Sequence, residues 1–340
     1  MPVVDSGRLR DFTRRVFLAI GAPQDKAAFV ATRLVHANLT GHASHGVLRI
    51  NQYVKAARSG DLVPGADPAV AFEGPAHALV TGNRGFGQVC AAFAVDTALR
   101  KAGETGLALV GCRDLYHVGR LGDYTAMAAE KGFLALAFCN GGGPNVAPFG
   151  GRERIFGTNP LACSVPGRDL EIDFASASIA EGKLNVARNK SATVGPGLIQ
   201  DKRGLPTADP NDFYDGGSIL PMGGHKGSAL ALFLEIMGGV FTGARCSVFP
   251  GYKEGNGVSF LALKPDLFRP KADFDADMDL LCGLVAGSAK AEGAAHVLLP
   301  GEIERENLKT FGASGVELDE RSHEIIGEVG ASLGVFFDQP

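Results

Sequence analysis

The spacing of the hydrophobic residues changes near residue 70, and this change limits the folds that the chain can adopt. Before it, apolar residues recur at helical spacing, as at Leu9, Phe12 and Val16. Beyond it, short apolar runs typical of buried strands occur at 77–80, 107–110, 133–139, 161–165, 170–174, 258–263 and 296–300. The sequence therefore predicts a helical region followed by a mixed α/β region, with a boundary in the Gly-, Pro- and Asp-rich loop 60–69.

Helix signals recur on both sides of this boundary. Ser44 is predicted to be the N-cap of a helix that ends at Gly60. Further helices are predicted at 86–101, 226–239, 275–292 and 301–310. Residues 184–221, in contrast, are rich in Gly, Pro and Asp and show little periodicity. A loop of that length inside a compact domain is usually functional.

Charge and cysteine content exclude several classes of protein. The chain has 33 Lys and Arg against 37 Asp and Glu, a formal net charge of −4, so no basic excess is available to bind a nucleic acid. The six cysteines form no CxxC pair, which indicates reduced thiols in a cytoplasmic protein. The N-terminus has no apolar signal region, and the longest apolar stretch, residues 229–241, is interrupted by Glu235 and two glycines. We therefore expect neither secretion nor a membrane span.

Two glycine-rich segments resemble nucleotide-binding loops but lack the required spacing. Residues 81–88 (TGNRGFGQ) follow a predicted strand, yet their glycines have the order GxxGxG rather than GxGxxG. An ordinary strand-to-helix turn is therefore favoured over a Rossmann site. Residues 223–228 (GGHKGS) are not a Walker A motif, because His225 stands where that motif has glycine. Lys226 at a helix start is still a candidate phosphate site, with a solvated lysine as the alternative.

Two histidines and an arginine lie close together in residues 41–49 (GHASHGVLR). His45 and Arg49 are four residues apart, a spacing that places both on one face of a helix. Histidine exchanges protons near neutral pH, and arginine binds carboxylates through its planar fork. The pair indicates a carboxylic acid bound beside a proton-transfer group, although a capped helix with surface side chains has the same pattern. His42 and His45 have a spacing that metal ligands use, but no third ligand is nearby and no metal is expected.

A further histidine, His117, follows a predicted strand and precedes the turn glycines Gly119 and Gly122. This position is typical of a side chain that faces a cleft, with a packing histidine as the alternative. Asp173 ends another predicted strand, where it could orient a histidine, bind a ribose hydroxyl or cap a turn. The sequence has no GxSxG elbow, and no cysteine has an obvious histidine neighbour, so a serine or cysteine hydrolase has little support.

Seven motifs in a particular order resemble one family. They are SHGVLRINQYV (44–54), HVGRLGDY (117–124), GTNPLACSVP (157–166), DFASASIAEGK (173–183), LPTADP (205–210), LPMGGHKGSALAL (220–232) and LLPGE (298–302). By these motifs the chain resembles the malate/L-lactate dehydrogenase family of the non-Rossmann type. Members of that family include ureidoglycolate dehydrogenase, L-sulfolactate dehydrogenase, 2,3-diketo-L-gulonate reductase and Δ1-piperideine-2-carboxylate reductase.

The resemblance implies a fold, a cofactor and a reaction. The fold would be mixed α/β, with a helical dimerisation domain from both chain ends (1–70 plus 275–340) and a central cofactor-binding domain (71–274). NAD or NADP would lie extended on the central domain without a Rossmann turn, and the protein would be a homodimer. The reaction would be hydride transfer between the cofactor and a small 2-oxo or 2-hydroxy acid of the malate or lactate type. A cyclic 2-imino acid is the alternative substrate.

The resemblance also implies roles for single residues. His45 matches the proton donor or acceptor, with Ser44 beside it, and His117 matches a second histidine that takes this role in some members. Arg49 matches the residue that binds the substrate carboxylate. Cofactor-lining positions are matched by Asn140, Asn159, Asp173, Phe174 and Ala175, and contacts to the cofactor phosphate and ribose by Lys226, Gly301 and Glu302.

The chain departs from the family pattern at two places. Ala43 stands where the family often has Asp before Ser-His, and Ser176 and Ala177 stand where it often has Thr-Ser. The second change removes a hydroxyl near the expected path of the cofactor. Both changes leave the choice of substrate, and of NAD or NADP, open.

Overall fold

The computed structural model describes residues 2–337. Within this range the helices are α1 (Ser6–Ala19), α2 (Gln24–Leu39), α3 (Ile50–Ser59), α4 (Gly87–Thr105), α5 (Gly122–Glu130), α6 (Glu181–Asn189), α7 (Pro210–Tyr214), α8 (His225–Leu234), α9 (Lys271–Ala286), α10 (Glu302–Ser314) and α11 (Glu320–Ala331). The strands are β1 (Val3–Val4), β2 (Ala69–Gly74), β3 (His77–Thr81), β4 (Leu107–Leu115), β5 (Leu134–Asn140), β6 (Pro160–Ser164), β7 (Glu171–Ala175), β8 (Ile199–Gln200), β9 (Pro206–Thr207), β10 (Ser218–Ile219), β11 (Asn256–Leu263) and β12 (Val316–Glu317). Two 3₁₀ turns, Ala43–His45 and Val47–Arg49, precede α3, and a π-helical segment, Glu235–Val240, continues α8. None of the described helices is both long and apolar enough to cross a membrane.

A mixed sheet of seven strands forms the largest sheet, in the order β2-β3-β4-β11-β5-β6-β7. Only β3 and β4 run parallel, and every other neighbouring pair in this sheet is antiparallel. Phe260 of β11 lies opposite Val110 of β4 and Ala137 of β5, and all three side chains are buried. Helix α4 packs on β4 and β11, and α5 packs on β5 and β6. This sheet is not the parallel, doubly wound sheet of a Rossmann fold, and the predicted mixed α/β class is confirmed.

Two strand predictions differ from the structure. Residues 296–300 are irregular, so the strand predicted there is wrong. Leu298 is 43% exposed, and the backbone contact of this run with β7 is a hydrogen bond from Glu171 N to Pro300 O (3.2 Å). An apolar run of this length becomes a strand only where a neighbouring strand offers a ladder of partners. Conversely, the apolar pattern of the sequence does not predict β2, because β2 is an edge strand whose residues are mostly exposed.

Residues 184–221 are not the structureless loop that their composition predicts. They contain α7, part of α6 and a small three-stranded sheet in the order β10-β8-β9. Ile199, Phe213 and Ile219 are buried in a core that also includes Val146 and Phe156 from outside the segment. The strands are two residues long and their core partners are distant in sequence, so local periodicity cannot reveal them.

Helices from the two ends of the chain share one hydrophobic core. Leu9 and Phe12 of α1 and Tyr53 of α3 are buried in the same cluster as Ile326 of α11. Strands β1 and β12 pair antiparallel, with Val3 opposite Glu317, and so tie the two ends together. Helix α9 differs, because it has no buried residue among those described. The division at residues 70 and 275 into two domains stays a prediction.

The π-helical segment lies directly against the central sheet. A Cβ atom added at Gly238 would lie 2.3 Å from Asn140 N and 2.7 Å from Gly257 O, both backbone atoms of sheet strands. A π-helical bulge inside a helix often occurs at a functional site. Glycine is therefore required at this position for the helix to approach the sheet.

We expect Gly238→Ala to lower the midpoint of thermal unfolding by several degrees. The added methyl group must displace packed backbone, which costs about 1–3 kcal/mol. Gly283→Ala in α9 is the matched control, because its added Cβ would have nothing within 4 Å. Helix propensity alone should make that variant more stable by about 0.8–1.0 kcal/mol. Circular dichroism measures both, and an unchanged midpoint for Gly238→Ala would contradict the close approach.

Candidate functional site

The two 3₁₀ turns before α3 position Ser44, His45 and Arg49. Asn38 Oδ1 accepts a hydrogen bond from Val47 N (2.8 Å) and so holds the second turn. A Cβ at Gly46 would lie 2.0 Å from Asn38 Oδ1, so only glycine permits this contact. The predicted N-cap role of Ser44 is wrong, because α3 begins at Ile50 and its N-cap position is Arg49. His45 and Arg49 do not share the face of an α-helix, because separate turns carry them.

The structure brings His45 and His117 together as a stacked pair. Their ring centroids are 5.7 Å apart and the rings are inclined by 16°. Each ring is held through Nδ1, which lies 3.2 Å from Ser44 Oγ in His45 and 2.7 Å from Tyr53 Oη in His117. Neither Nε2 atom has a hydrogen-bond partner among the described residues. Both Nε2 atoms therefore keep unused hydrogen-bonding capacity.

Their different Nδ1 partners give the two histidines different roles as hydrogen-bonding groups. Gln88 Nε2 donates to Tyr53 Oη (2.6 Å), which leaves the phenol hydrogen free to be donated to His117 Nδ1. Neutral His117 then carries its own hydrogen on Nε2. Ser44 Oγ can accept from Nδ1–H of His45, which leaves a lone pair on His45 Nε2.

Sequence analysis alone misses Tyr53 and Gln88. Tyr53 stands four residues after Arg49, a weak signal in a helix rich in apolar residues. Gln88 ends the glycine segment 81–88, and the structure explains those glycines. A Cβ at Gly87 would lie 2.3 Å from Tyr116 O and 2.4 Å from His117 O, so the start of α4 must approach the end of β4 closely. The segment is thus a strand-to-helix turn.

Burial and a neighbouring charge keep both histidines neutral. Removal from water lowers the pKa of His45 to about 3, and the positive charge of Arg49 adds to the effect. The same two causes hold the pKa of His117 well below its ordinary value. At neutral pH the pair therefore consists of two uncharged imidazoles beside a guanidinium.

The Arg49 guanidinium is held by neutral acceptors only. Its Nε donates to Ser44 O (2.7 Å) and its Nη1 to Gln52 Oε1 (2.8 Å). No carboxylate of the described chain lies within 4 Å of it, so its charge is uncompensated. Arg49 and Ser44 line a cleft of about 560 Å³, whose other walls come mainly from α3 and α6, with Asp61, Tyr116, Glu254, Asp319 and Ser322. The arrangement suits an anionic ligand beside the histidine pair.

His42 does not belong to this pair. Its Nε2 lies 3.2 Å from Glu304 Oε1 of α10. Burial is the main cause that lowers its pKa. The described residues contain no group of three His, Cys, Asp or Glu side chains that could hold a metal ion.

Most of the predicted cofactor residues fall along β7. Asp173, Phe174 and Ala175 form its second half, and a hydrogen bond from Met222 N to Ser176 O (2.9 Å) brings the turn before Lys226 to that end. At the other end, a Cβ at Gly301 would lie 3.2 Å from Glu171 Cβ, so Gly301 and its neighbour Glu302 lie beside the strand. Glu302 Oε2 accepts from Leu299 N (2.8 Å). Six of the eight predicted positions thus belong to β7 or to the segments next to its two ends, here called the strip, listed from one end as Glu302, Gly301, Asp173, Phe174, Ala175 and Lys226.

Asp173 has an unusual environment within this strip. Burial raises the pKa of its carboxyl to about 7, against the opposing charge of Arg120. Its Oδ2 accepts from Gly122 N (2.8 Å) and lies 3.9 Å from Arg120 Nε. Arg120 also pairs with Glu171 and, at 3.1 Å, with Asp123. Burial therefore favours the protonated form of this carboxyl more than in an exposed aspartate.

Asn140 and Asn159 are engaged inside the protein. Asn159 Oδ1 accepts from Gly141 N (3.0 Å), and its Nδ2 donates to Ala231 O (3.1 Å) and Glu235 Oε1 (3.0 Å). Asn140 Oδ1 accepts from Gly257 N (2.6 Å). Both side chains are buried. Their amides hold the loops behind the strip, and Asn159 reaches the end of β7 through a backbone hydrogen bond from Ser176 N (3.1 Å).

A family model described as malate/L-lactate dehydrogenase matches residues 4–326. The chain belongs to the malate/L-lactate dehydrogenase family. The L-sulfolactate dehydrogenase of Methanocaldococcus jannaschii is 36% identical over 327 residues, or 94% of each chain. A solved structure of sulfolactate dehydrogenase from that organism matches with a TM-score of 0.91 and 33% identity over 99% of each chain. The Δ1-pyrroline-2-carboxylate/Δ1-piperideine-2-carboxylate reductase of Pseudomonas syringae pv. tomato is 35% identical over 243 residues, or 71% of each chain.

The family resemblance carried by the seven motifs is thereby confirmed. The protein is an oxidoreductase of the hydroxy-acid dehydrogenase type, and a dehydrogenase of this family implies a nicotinamide cofactor. The residues along β7 fit such a group. Arg120 Nε lies beside the strip, 3.9 Å from Asp173 Oδ2, and is a buried polar atom without a hydrogen bond in the described chain. Lys226 is exposed at the start of α8, where backbone N–H groups and its charge favour a phosphate.

We expect the His45→Gln variant to lose less stability at acid pH than the unmodified protein. Unfolded His45 binds a proton near its ordinary pKa of 6.5, whereas folded His45 stays neutral until about pH 3. Protonation of His45 does not affect stability above pH 6.5. Between pH 6.5 and about pH 3, stability is lost as the pH falls, because only the unfolded state gains the proton. Urea unfolding at pH 7.5, 6, 5 and 4 should show a smaller fall in midpoint for His45→Gln than for the unmodified protein. Parallel curves would show that His45 is not buried as a neutral group.

Proposed function

We propose that the protein transfers a hydride between NAD(P) and C2 of a small 2-hydroxy or 2-oxo acid. One observation carries this proposal, namely the uncompensated guanidinium of Arg49 beside two neutral histidines with available Nε2 atoms. The pairing supplies both a carboxylate clamp and a proton-transfer group. Relatives named L-sulfolactate dehydrogenase and malate dehydrogenase support this class of substrate.

Arg49 and the histidines would share the work at the substrate. Arg49 binds the carboxylate and so fixes the position of C2 and its oxygen. His117, with hydrogen on Nε2, donates a hydrogen bond to that oxygen and polarises it. His45, with a lone pair on Nε2, takes the hydroxyl proton during oxidation of a 2-hydroxy acid and returns it during reduction. A bound nicotinamide cofactor would supply the hydride chemistry at C2.

Substrate binding would itself raise the pKa of His45. The charge of Arg49 is one cause that lowers the pKa of His45, after burial. A carboxylate bound to Arg49 offsets that charge, so the pKa of His45 rises and the imidazole becomes a better proton acceptor. Hence the base becomes effective once the substrate is in place.

The cofactor would lie along β7. Asp173, Phe174 and Ala175 would hold its central part, Lys226 its phosphates, and Gly301 with Glu302 its ribose, while Asn140 and Asn159 support the loops behind it. NAD and NADP are both candidates. The carboxyl of Asp173 would lie beside the cofactor in a form that changes near pH 7, because burial raises its pKa to about 7.

A cyclic 2-imino acid is the alternative substrate. It is favoured by the relative that reduces Δ1-pyrroline-2-carboxylate and Δ1-piperideine-2-carboxylate, according to its name. Arg49 would bind its carboxylate in the same way, and reduction of the C=N bond also needs a proton at the heteroatom.

The proposal is tested by following nicotinamide absorbance with NADH and separately with NADPH. The substrate panel is pyruvate, 2-oxobutyrate, oxaloacetate, sulfopyruvate and Δ1-piperideine-2-carboxylate. Reduction of one 2-oxo acid supports the proposal and identifies the cofactor. Reduction of the imine alone supports the alternative, and no absorbance loss with any compound would contradict both.

We further propose a cytoplasmic homodimer in which residues 1–70 and 275–340 form the helical dimerisation domain and residues 71–274 the cofactor domain. The shared core of α1, α3 and α11 supports the helical domain. The outward faces of α8, its π-helical continuation and α9 are apolar and exposed, notably at Leu232, Phe233, Ile236, Val240, Leu280, Leu281 and Leu284. Such faces mark surfaces that a partner covers, and the mass in solution measures this. All six cysteines are unpaired, in keeping with a cytoplasmic location.

We expect His45→Ala to lower kcat by two or more orders of magnitude, the usual size of a general acid–base contribution. His117→Ala should lower it less, because loss of a polarising hydrogen bond costs less than loss of the proton acceptor. Steady-state kinetics with the best 2-oxo acid measures both variants. His77→Ala, an exposed side chain at the start of β3 that does not line the cleft, is the control. Near-normal turnover of His45→Ala would move the proton-transfer role to His117.

A further inference from the structure

The cleft beside Arg49 carries more negative than positive side chains. Two cations, Arg49 and Lys55, line it. Four carboxylates face them, those of Asp61, Glu181, Glu254 and Asp319. The effect of each carboxylate on a ligand depends on whether its negative charge is already compensated within the protein.

Two of the four carboxylates are compensated within the protein. Asp61 Oδ1 forms an ion pair with Arg84 Nη2 (3.1 Å). Asp319 is the N-cap of α11, where its Oδ1 accepts from Ser322 N (2.9 Å) and the helix dipole favours its charge. Neither adds much uncompensated charge to the cleft.

Glu254 and Glu181 have neutral donors only. Glu254 Oε1 accepts from Gln52 Nε2 (3.0 Å) and from the Tyr116 hydroxyl (3.3 Å). Glu181 Oε1 accepts from the Tyr214 hydroxyl (2.7 Å). No cation of the described chain lies within 4 Å of either carboxylate. Both therefore line the cleft with a negative charge that no cation of the described chain compensates.

Glu254 is connected to the carboxylate clamp through one side chain. Gln52 accepts from Arg49 Nη1 through Oε1 and donates to Glu254 Oε1 through Nε2. A substrate carboxylate on Arg49 would cancel that cation, and Lys55 alone would remain against Glu181 and Glu254. Two like charges about 6 Å apart repel enough to change binding by roughly threefold to a hundredfold, depending on the local dielectric.

We propose that the substrate has one carboxylate, held by Arg49, and an uncharged tail that donates hydrogen bonds, such as a hydroxyl or amide. A second anionic group would meet Glu181 and Glu254. This inference rests on the proposed function, because it concerns the tail of a substrate bound through Arg49. It sets the chain apart from relatives whose names specify malate or sulfolactate, both of which have a second acidic group.

The test compares two 2-oxo acids of the same shape. Oxaloacetate has a carboxylate tail, and 2-oxosuccinamate has an amide in its place. We expect kcat/KM to be at least about tenfold higher for the amide. In the double variant Glu181→Gln/Glu254→Gln, which keeps the acceptor oxygens, the ratio should fall by about tenfold toward unity. Glu130→Gln, exposed at the end of α5, is the matched control and should keep the original ratio.

Each other outcome overturns the inference in a distinct way. Equal or higher kcat/KM for oxaloacetate in the unmodified protein would show that the cleft binds a second anionic group without penalty. If Lys55→Met then lost the preference for oxaloacetate, Lys55 would be the cation that binds the second anionic group. A ratio unchanged in the double glutamate variant would show that the two carboxylates do not select the tail. Turnover of 2-oxobutyrate separates these results from failure of the proposed function, since without any turnover the hydride-transfer proposal fails first.

Discussion

The positive charge of Arg49 has no carboxylate partner among residues 2–337, and the chemistry of the site depends on this. Its guanidinium is held in place by Ser44 O and Gln52 Oε1, which are neutral. The charge therefore remains available to a substrate carboxylate, and it also helps burial to keep His45 and His117 uncharged. One cation thus couples binding to acid–base chemistry, because a ligand that neutralises it also changes the pKa of the group beside it.

The fold supports this arrangement at points where glycine is required. Gly46 lets Asn38 hold the turn that carries Arg49, and Gly87 lets α4 approach the strand end that carries His117. The same approach brings Gln88 to Tyr53, and that contact leaves the Tyr53 hydroxyl free to donate to His117 Nδ1. The central sheet thus supplies one histidine and the helical end of the chain the other, so their stacking requires both regions.

The sequence predicted much of this and failed for identifiable reasons. Six strand runs and most helices follow from local hydrophobic spacing, and His45, Arg49 and His117 follow from residue type and position. Tyr53, Gln88 and Glu254 could not be found, because their roles come from contacts between segments distant in the chain. Ser44 as an N-cap was wrong because two 3₁₀ turns precede α3, which begins only at Ile50. Residues 296–300 form no strand, because apolar character alone does not supply the neighbouring strand that a ladder of hydrogen bonds requires.

The central claim is that Arg49 presents a substrate carboxylate to the two histidines. A crystal structure with the reduced cofactor and oxamate, an unreactive mimic of a 2-oxo acid, tests it most directly. We expect the oxamate carboxylate on the guanidinium of Arg49 and its carbonyl oxygen within hydrogen-bond distance of Nε2 of His45 or His117. Oxamate bound away from Arg49, or with its carbonyl facing away from both imidazoles, would contradict the account.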